Sequence, residues 1–229
     1  MSEHHGDQDD VDGQPGPTEW GKSVNGVGPW SAHHDDPPPD DPRFDPELLR
    51  TGDTRNVVDA YRYWTRPAII ADIDKRRHGL HVAIENFGND ANIGGVVRTA
   101  NAFAVDTVHI VGRRRWNRRG AMVTDRYQRL HHHADTAGLL DYAAGAGLTV
   151  VAVDNVPGAV RLEETALPRD CLLVFGQEGP GLTSQACDGA AMVVSIAQFG
   201  STRSINASVA AGIAMHTWIT QWGDLSRAW

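Results

Sequence analysis

The chain of 229 residues has room for one medium-sized domain with extensions, and 41% of its residues are hydrophobic. Its formal net charge of −8 is uneven, because residues 1–53 hold 13 acidic and 3 basic side chains whereas residues 54–229 hold 16 and 18. Two cysteines exclude a disulfide framework, and no apolar run approaches the ~20 residues of a membrane span. These features predict a soluble protein of a reducing compartment, the cytoplasm.

The first 79 residues are expected to form two extensions. Residues 1–53 are rich in Asp, Pro, Gly and His, with Asp35–Pro42 as the extreme case. Such a segment has too little apolar surface to offset its chain entropy, so we expect an acidic, disordered tail. Residues 54–79 are predicted to be a helical extension, since apolar residues between Val57 and Trp64 have helical spacing and Pro67 breaks the pattern into two pieces.

Residues 80–229 alternate between apolar runs rich in Val, Ile and Leu and segments with helical patterns. Strands are predicted at Leu80–Ile84, Thr107–Val111, Leu148–Val153, Cys171–Phe175 and Met192–Ile196. Helices are predicted at Gly95–Phe103, Met122–Arg129, Thr136–Ala146, Thr183–Asp188 and Ser204–Trp218. This alternation indicates an α/β fold with a mostly parallel sheet flanked by helices.

Three polar turns follow predicted strands. Their sequences are Asn92-Ile93-Gly94-Gly95, then Gly176-Gln177-Glu178-Gly179-Pro180-Gly181, then Gly200 to Ser208. Backbone N–H groups of such strand-to-helix turns point outward and bind ligands. Three turns on one side of a parallel sheet therefore predict a binding site. The first strand is not followed by a GxGxxG-like turn, which argues against a nucleotide-dependent oxidoreductase.

These turns resemble the three motifs of the SpoU/TrmH RNA methyltransferases, which belong to the SPOUT class. The matching sequences are Asn92-x-Gly94-x-x-x-Arg98, then Phe175-Gly176-Gln177-Glu178-Gly179-x-Gly181, then Ser204-Ile205-Asn206. The resemblance covers roughly residues 80–222. It implies methyl transfer from S-adenosylmethionine to a ribose 2′-hydroxyl of structured RNA, with tRNA slightly favoured over rRNA. The alternative is a non-catalytic RNA-binding protein that retains the fold.

The resemblance also implies a C-terminal trefoil knot and a homodimer. Small residues of the last helix would let a partner helix approach closely, although they suit packing within one chain equally well. These residues are Ala210, Ala211, Gly212 and Ala214.

The same resemblance assigns catalytic positions to Arg98, Asn92, Glu178, Ser204 and Asn206. An arginine stays charged at neutral pH, so we expect Arg98 to fix a phosphate and stabilise a developing alkoxide rather than act as a free base. Three roles stay open in the sequence. Asn92 or Ser204 could instead cap a helix, and Glu178 could instead hold a loop.

By the same resemblance, the cofactor would lie against Val153, Gly176, Ile196, Ser204 and Ile205. Glycine suits a position where backbone approaches a ligand closely. Gly176 could equally be an ordinary turn glycine.

A cluster of arginines between the first two motifs predicts contact with RNA. Its members are Arg113, Arg114, Arg115, Arg118, Arg119, Arg126 and Arg129, with Trp116 and Tyr127 interleaved. Guanidinium groups bind phosphates in a bidentate manner, and aromatic rings stack on bases. Arg203 adds a further candidate beside the third motif. The alternative is a loop whose charge only keeps it solvated.

The run His131-His132-His133 raises the question of a metal ion. Adjacent residues cannot all face one ion on a helix or strand, and no cluster of Cys, Asp or Glu completes a coordination sphere. We therefore expect no metal site.

Overall fold

The computed structural model describes residues 26–85, 87–112 and 115–227. The chain divides into two compact units, Met1–Ala68 and Ile69–Trp229. Among the described residues, no helix combines the length and apolar character needed to cross a membrane.

The described part of the first unit is folded around aromatic side chains. Helix α1 (Pro46–Thr51) begins at Asp45, whose carboxylate accepts the N–H groups of Glu47 and Leu48 at 2.9 and 3.3 Å. Short 3-10 helices lie at Trp30–Ala32 and Asp59–Tyr61. The rings that contact one another belong to Trp30, His34, Phe44, Tyr61, Tyr63 and Trp64.

The expectation of a disordered tail is therefore wrong for residues 26–53. Asp53 is fully buried, and its carboxylate accepts bonds of 2.8 and 2.7 Å from the Arg55 guanidinium and 3.0 Å from the Tyr63 N–H. The composition of the segment concealed these contacts, because their partners lie after residue 53 in the sequence. Residues 1–25 lie outside the described part of the chain.

The helical extension predicted over residues 54–79 is also only partly correct. Helix α2 spans Arg66–Asp74, and residues 54–65 are not α-helical. Pro67 is the second residue of α2, where the missing N–H has no partner to lose and the fixed φ favours the helix. Pro67 therefore lies where a helix begins instead of breaking one.

The second unit contains a seven-stranded parallel sheet, which confirms the predicted α/β class. The strands are β1 (Leu80–Glu85), β2 (Thr107–Val111), β3 (Arg129–His133), β4 (Thr149–Val153), β5 (Val160–Arg161), β6 (Cys171–Phe175) and β7 (Met192–Ser195), in the spatial order β3-β2-β1-β6-β4-β7-β5. The helices are α3 (Asp90–Ala102), α4 (Thr136–Gly145), α5 (Ser184–Asp188) and α6 (Ala207–Trp222).

Helices cover both faces of the sheet. Alternate strand residues such as Val82 and Ala83 point to opposite faces. The face that carries Val82 packs against α3 and α6, and its core includes the buried Met215 and Trp218. The face that carries Ala83 packs against α4 and α5.

Two strands were not predicted. The helix expected at Met122–Arg129 is absent; a 3-10 helix at Thr124–Arg126 leads into β3 instead. The sequence of β3 is polar because it lies at the sheet edge, and β5 has only two residues. Neither shows the apolar pattern by which buried strands are recognised.

Candidate functional site

One buried amide joins all three polar turns. Asn92, in the first turn of α3, donates from Nδ2 to Oε1 of Glu178 at 2.5 Å, across 86 positions of the chain. Asn206 donates from Nδ2 to Oδ1 of Asn92 at 3.0 Å, across 114 positions. The structure thus brings together three of the five side chains expected to be catalytic.

The helix caps differ from those considered in the sequence. Helix α3 begins at Asp90, five residues before the predicted start, and Asn89 caps it by accepting the Ala91 N–H at 2.9 Å. Asn206 caps α6, since its Oδ1 accepts the N–H groups of Ser208 and Val209 at 3.0 and 3.2 Å. Asn92 and Ser204 are therefore not the capping residues. The side-chain carbonyl of Asn206 thus caps α6, and its side-chain NH₂ group donates to Asn92.

Glu178 connects the loop after β6 to the segment after β1. Besides the Asn92 amide, its carboxylate accepts the Gly88 N–H at 3.1 Å. Burial raises the pKa of Glu178, but the hydrogen bonds from Asn92 and from backbone N–H groups, including those of Gly88 and Asn89, outweigh it, so that the pKa is lowered. The carboxylate is therefore ionised at neutral pH, as its donors require.

Gly176 is required by the packing of its own loop. A Cβ at this position would lie 2.1 Å from both the Gly181 carbonyl carbon and the Leu182 nitrogen. Asp154 holds the same loop by accepting the Leu182 N–H at 2.9 Å. The close approach of Gly181 and Leu182 explains why position 176 is a glycine. It supports the role of a turn glycine, which is the alternative left open in the sequence.

The five residues expected to hold the cofactor come from the edge of the sheet that is formed by the carboxyl ends of its strands. Val153 ends β4 opposite Phe175 of β6. Strand β4 also pairs with β7, and the positions that follow β6 and β7 supply Gly176 and Ile196. The loop with Ser204 and Ile205 is tied to this edge, because Asn155 donates from Nδ2 to the Arg203 carbonyl at 2.9 Å.

The side chains at this edge vary in exposure. Val153 is buried, Ile196 and Ile205 are half-buried, and Ser204 is exposed. Phe199, in the same loop, is 94% exposed. The edge therefore offers partly exposed apolar side chains near Glu178, Asn92 and Asn206.

Arg98 lies apart from these hydrogen bonds. It is exposed on α3, and its side chain makes no hydrogen bond or ion pair with any other residue in the described part of the chain. It follows Asn92 by six positions, or ~240° around the helix, so the two side chains leave different faces. No hydrogen bond therefore joins Arg98 to the network of Asn92, Glu178 and Asn206.

The segment that carries the arginines packs against the start of α3. A Cβ at Gly94 would lie 2.4 Å from the carbonyl carbon of Gly120. The Asn117 N–H also donates to Asp90 at 2.9 Å. A 3-10 helix at Arg118–Ala121 is thereby held beside the first motif.

Most of the described arginines of this segment are exposed. Arg113 and Arg114 lie outside the described residues; Arg115, Arg118, Arg119, Arg126 and Arg203 are exposed. Arg118 lies 3.4 Å from Asp125.

Arg129 differs from these arginines. It makes ion pairs of 2.9 Å with Asp74 and 3.1 Å with Asp106, and the hydrogen bond to Asp74 contributes most to raising its pKa. Arg129 thus serves the fold.

Sequence reasoning missed a buried carboxylate at the end of β1. Glu85 accepts hydrogen bonds from the Thr183 N–H at 2.8 Å, from the Thr183 hydroxyl at 2.6 Å and from the Thr136 hydroxyl. Thr183 caps α5, and Thr136 is the first residue of α4. Glu85 thus fixes the starts of both helices on one face of the sheet.

It also missed a group of histidines. His131 and His133 lie with His109 of β2, and one ligand atom of each lies within 4.8 Å of the others. Of the three adjacent histidines only His132 lies outside this group, and it bonds instead to the Gly112 carbonyl at 3.0 Å. Burial is the main cause that lowers the pKa of His109 to about 2. Strand alternation was the signal that could have paired His131 with His133.

The sequence is similar to known RNA methyltransferases. The model of the SpoU rRNA Methylase family matches residues 79–216. Over 156 residues the chain is 28% identical to the tRNA (guanosine(18)-2'-O)-methyltransferase of Escherichia coli K12, covering 66% of this chain and 68% of that protein. Over 146 residues it is 34% identical to an uncharacterized tRNA/rRNA methyltransferase of Mycolicibacterium smegmatis, covering 59% of this chain and 45% of that protein.

A solved structure shares the fold. The TrmH/SpoU tRNA modifying enzyme of A. aeolicus superposes with a TM-score of 0.62 at 22% identity, covering 68% of this chain and 81% of that one.

Proposed function

The chain belongs to the SpoU rRNA methylase family, and from this premise we propose that it transfers a methyl group from S-adenosylmethionine to a ribose 2′-hydroxyl of structured RNA. The observation that carries the proposal is the pair of hydrogen bonds that joins Asn92 to Glu178 and to Asn206. These bonds hold the three polar turns at one place, where a cofactor and a substrate ribose can meet.

The cofactor would lie at the edge formed by the carboxyl ends of β6, β4 and β7. Val153, Gly176, Ile196, Ser204 and Ile205 would hold it there, with half-buried apolar side chains against the adenosine. When bound, the sulfonium supplies an electrophilic methyl group. The loops that carry Gly176 and Asn206 would align the cofactor with the ribose, and alignment is a large part of catalysis in such a displacement.

Arg98 is the side chain proposed to act on the substrate. Its exposure and its lack of a partner among the described residues leave the guanidinium available to an RNA phosphate or to the developing alkoxide. A positioned cation stabilises such a charge without giving up its own proton. Asn92, Glu178 and Asn206 already bond to one another, so we assign them to positioning the turns.

The RNA surface is proposed to lie along the arginine segment beside α3. Arg115, Arg118, Arg119 and Arg126 are exposed there, and Arg203 is exposed in the loop tied to Asn155. Phosphate contacts of this kind orient an RNA without reading its sequence. Transfer RNA is the substrate class we favour, because the Escherichia coli relative is named for it.

A homodimer is proposed through α6 and α3. Ala211 and Ala214 are fully buried in the chain's own core and are not available to a partner. Val209 and Ile213 are 52% and 38% exposed, and with Gly95, Thr99 and Gly212 they line a shallow groove between the two helices. A second copy would cover this apolar groove. Light scattering of Ile213→Asp against the parent chain tests this pairing.

The activity is tested with tritiated S-adenosylmethionine and separate pools of tRNA and rRNA. We expect label in the tRNA pool and a loss of at least ~100-fold in Arg98→Ala. Arg169→Ala is the matched control. Arg169 is also exposed, but it precedes the amino-terminal end of β6 and so lies at the end of the strands opposite the candidate site.

The same assay separates the two functions considered. A non-catalytic RNA-binding protein would bind tRNA and transfer no label to either pool. Equal label with Arg98→Ala and Arg169→Ala would remove Arg98 from the mechanism.

A further inference from the structure

Histidines on three neighbouring strands face the same side of the sheet. His81 of β1, His109 of β2, and His131 and His133 of β3 share the face that packs against α4. His109 lies opposite His131 in the parallel register, and His133 follows two residues later on the same side.

The imidazole nitrogens of three of these residues converge. Ligand atoms of His109, His131 and His133 all lie within 4.8 Å of one another, and His109 Nδ1 lies 2.9 Å from His133 Nε2. His109 and His133 are buried, whereas His131 is exposed and opens the group to solvent. We propose that these three histidines bind a divalent ion of the Zn²⁺ class, separate from the methyl-transfer site.

The surroundings of His109 provide the outer shell that a metal-binding histidine requires. Its Nε2 lies 3.0 Å from Nδ1 of His81, and Nε2 of His81 lies 3.8 Å from a carboxylate oxygen of Asp106. If the ion is bound by Nδ1 of His109, the Nε2–H of His109 donates to Nδ1 of His81, and the Nε2–H of His81 points toward the Asp106 carboxylate. A second-shell acceptor of this kind fixes the tautomer of the ligand.

Binding the ion requires small movements. Two nitrogens at 2.0–2.1 Å from a tetrahedral Zn²⁺ are about 3.3 Å apart, so His109 and His133 must separate slightly from 2.9 Å. The rings of His131 and His133 are stacked, with centroids 4.5 Å apart and planes 11° from parallel, and must turn so that their lone pairs meet. The exposed His131 ring is free to make the larger rotation, and water completes the fourth position.

The ion would cross-link the sheet edge. β3 is the edge strand, and two of the ligands belong to it while the third belongs to the inner strand β2. Arg98 lies on α3, which covers the other face of the sheet. We therefore assign the ion a role in stability and none in the transfer reaction.

The test is Zn²⁺ binding by the full chain after treatment with EDTA, measured by competition with a chromophoric chelator. We expect one tight site per chain, whose affinity falls at least ~100-fold in His131→Ala, because even the loss of a second-shell partner costs 10–100-fold. His132→Ala is the matched control. The His132 ring is adjacent in sequence but bonds to the Gly112 carbonyl, so the His132→Ala variant should still bind Zn²⁺.

A second readout excludes a folding artefact. Zn²⁺ should raise the melting temperature of the parent chain and of His132→Ala but not of His131→Ala, while all three melt alike with EDTA. The proposal is overturned if Zn²⁺ does not bind, or if His131→Ala binds it as tightly as the parent. It is equally overturned if the two variants lose affinity together.

Discussion

The side-chain amide of Asn206 donates to Oδ1 of Asn92 over 3.0 Å, which ties the start of α6 to the start of α3. The same Asn92 donates to Glu178, so the loss of one side chain leaves partners unsatisfied on both sides. This relationship makes the three polar turns a single unit.

Asn92→Ala is expected to lower the free energy of unfolding by about 1–3 kcal/mol, because a carboxylate and an amide each lose a partner in a partly buried place. Asn206→Ala should cost a similar amount, since it also removes the α6 cap. A denaturant-unfolding cycle with the double variant measures the coupling. Strictly additive effects would show that the two side chains act independently.

The pH dependence of activity should reflect Glu178. The pKa of Glu178 is lowered in the folded protein. The stability that its ionised carboxylate gives to the three turns is therefore present above the carboxyl's ordinary pKa and is lost as the pH falls through the lowered value. We expect an acid limb in the rate profile of the parent chain. Glu178→Gln should be slower at neutral pH and lack this limb, and a variant that keeps the same acid limb would contradict the assignment.

Gly176→Ala is expected to disrupt the loop after β6. The new methyl group would lie 2.1 Å from backbone atoms, so we expect a destabilisation of at least ~2 kcal/mol, measured by urea unfolding. Gly145→Ala is the control. It ends α4 with nothing within 4 Å of the added carbon, and it should be neutral or slightly stabilising. Similar stability of the two variants would refute the packing argument.

The first unit should be sensitive to acid through Asp53. Burial raises the pKa of this carboxyl, but hydrogen bonds from Arg55 and the Tyr63 N–H lower it by more than burial raises it, so the net pKa is depressed. Its stabilisation is therefore present at neutral pH and disappears as the pH falls through the depressed value.

The matching substitution is Asp53→Asn, which leaves Arg55 without its buried partner and should cost about 3–5 kcal/mol. Tryptophan fluorescence follows the unfolding, since Trp30 and Trp64 belong to this unit. Asp59→Asn is the control, because that carboxylate is 96% exposed and its pair with Arg62 should contribute less than ~1 kcal/mol. Equal costs would remove Asp53 from this role.

The arginine segment should govern the salt dependence of RNA binding. Arg119→Ala and Arg126→Ala should each weaken binding of all RNAs and reduce the slope of affinity against salt by about 1. Filter binding at several salt concentrations measures this slope. Arg129→Ala should instead lower stability, because Arg129 pairs with Asp74 and Asp106. An unchanged slope in the first two variants would place the RNA elsewhere.

The sequence predicted the sheet better than its edges. Strands β1, β2, β4, β6 and β7 are confirmed because each is a mostly apolar run; the first four are buried along almost their whole length, and β7 is partly buried. β3 was missed because Arg129–His133 is polar. The folded state of residues 26–53 was missed because the partners of Asp53 and Trp30 come later in the chain.

The candidate site was predicted as a set of residues and not as a network. Motif order located Asn92, Glu178 and Asn206, but their hydrogen bonds span 86 and 114 positions and depend on the sheet order. Local pattern carries no information on such distances. The knot and the roles of the cofactor residues stay predictions.

Methylation of a ribose hydroxyl can be measured by nucleoside mass analysis of tRNA after reaction with the purified chain and S-adenosylmethionine. Ribose methylation predicts one new methyl group per modified nucleoside, carried by the ribose, together with an alkali-resistant phosphodiester bond next to it. A methyl group on a base, or unchanged RNA in the presence of bound cofactor, would contradict it.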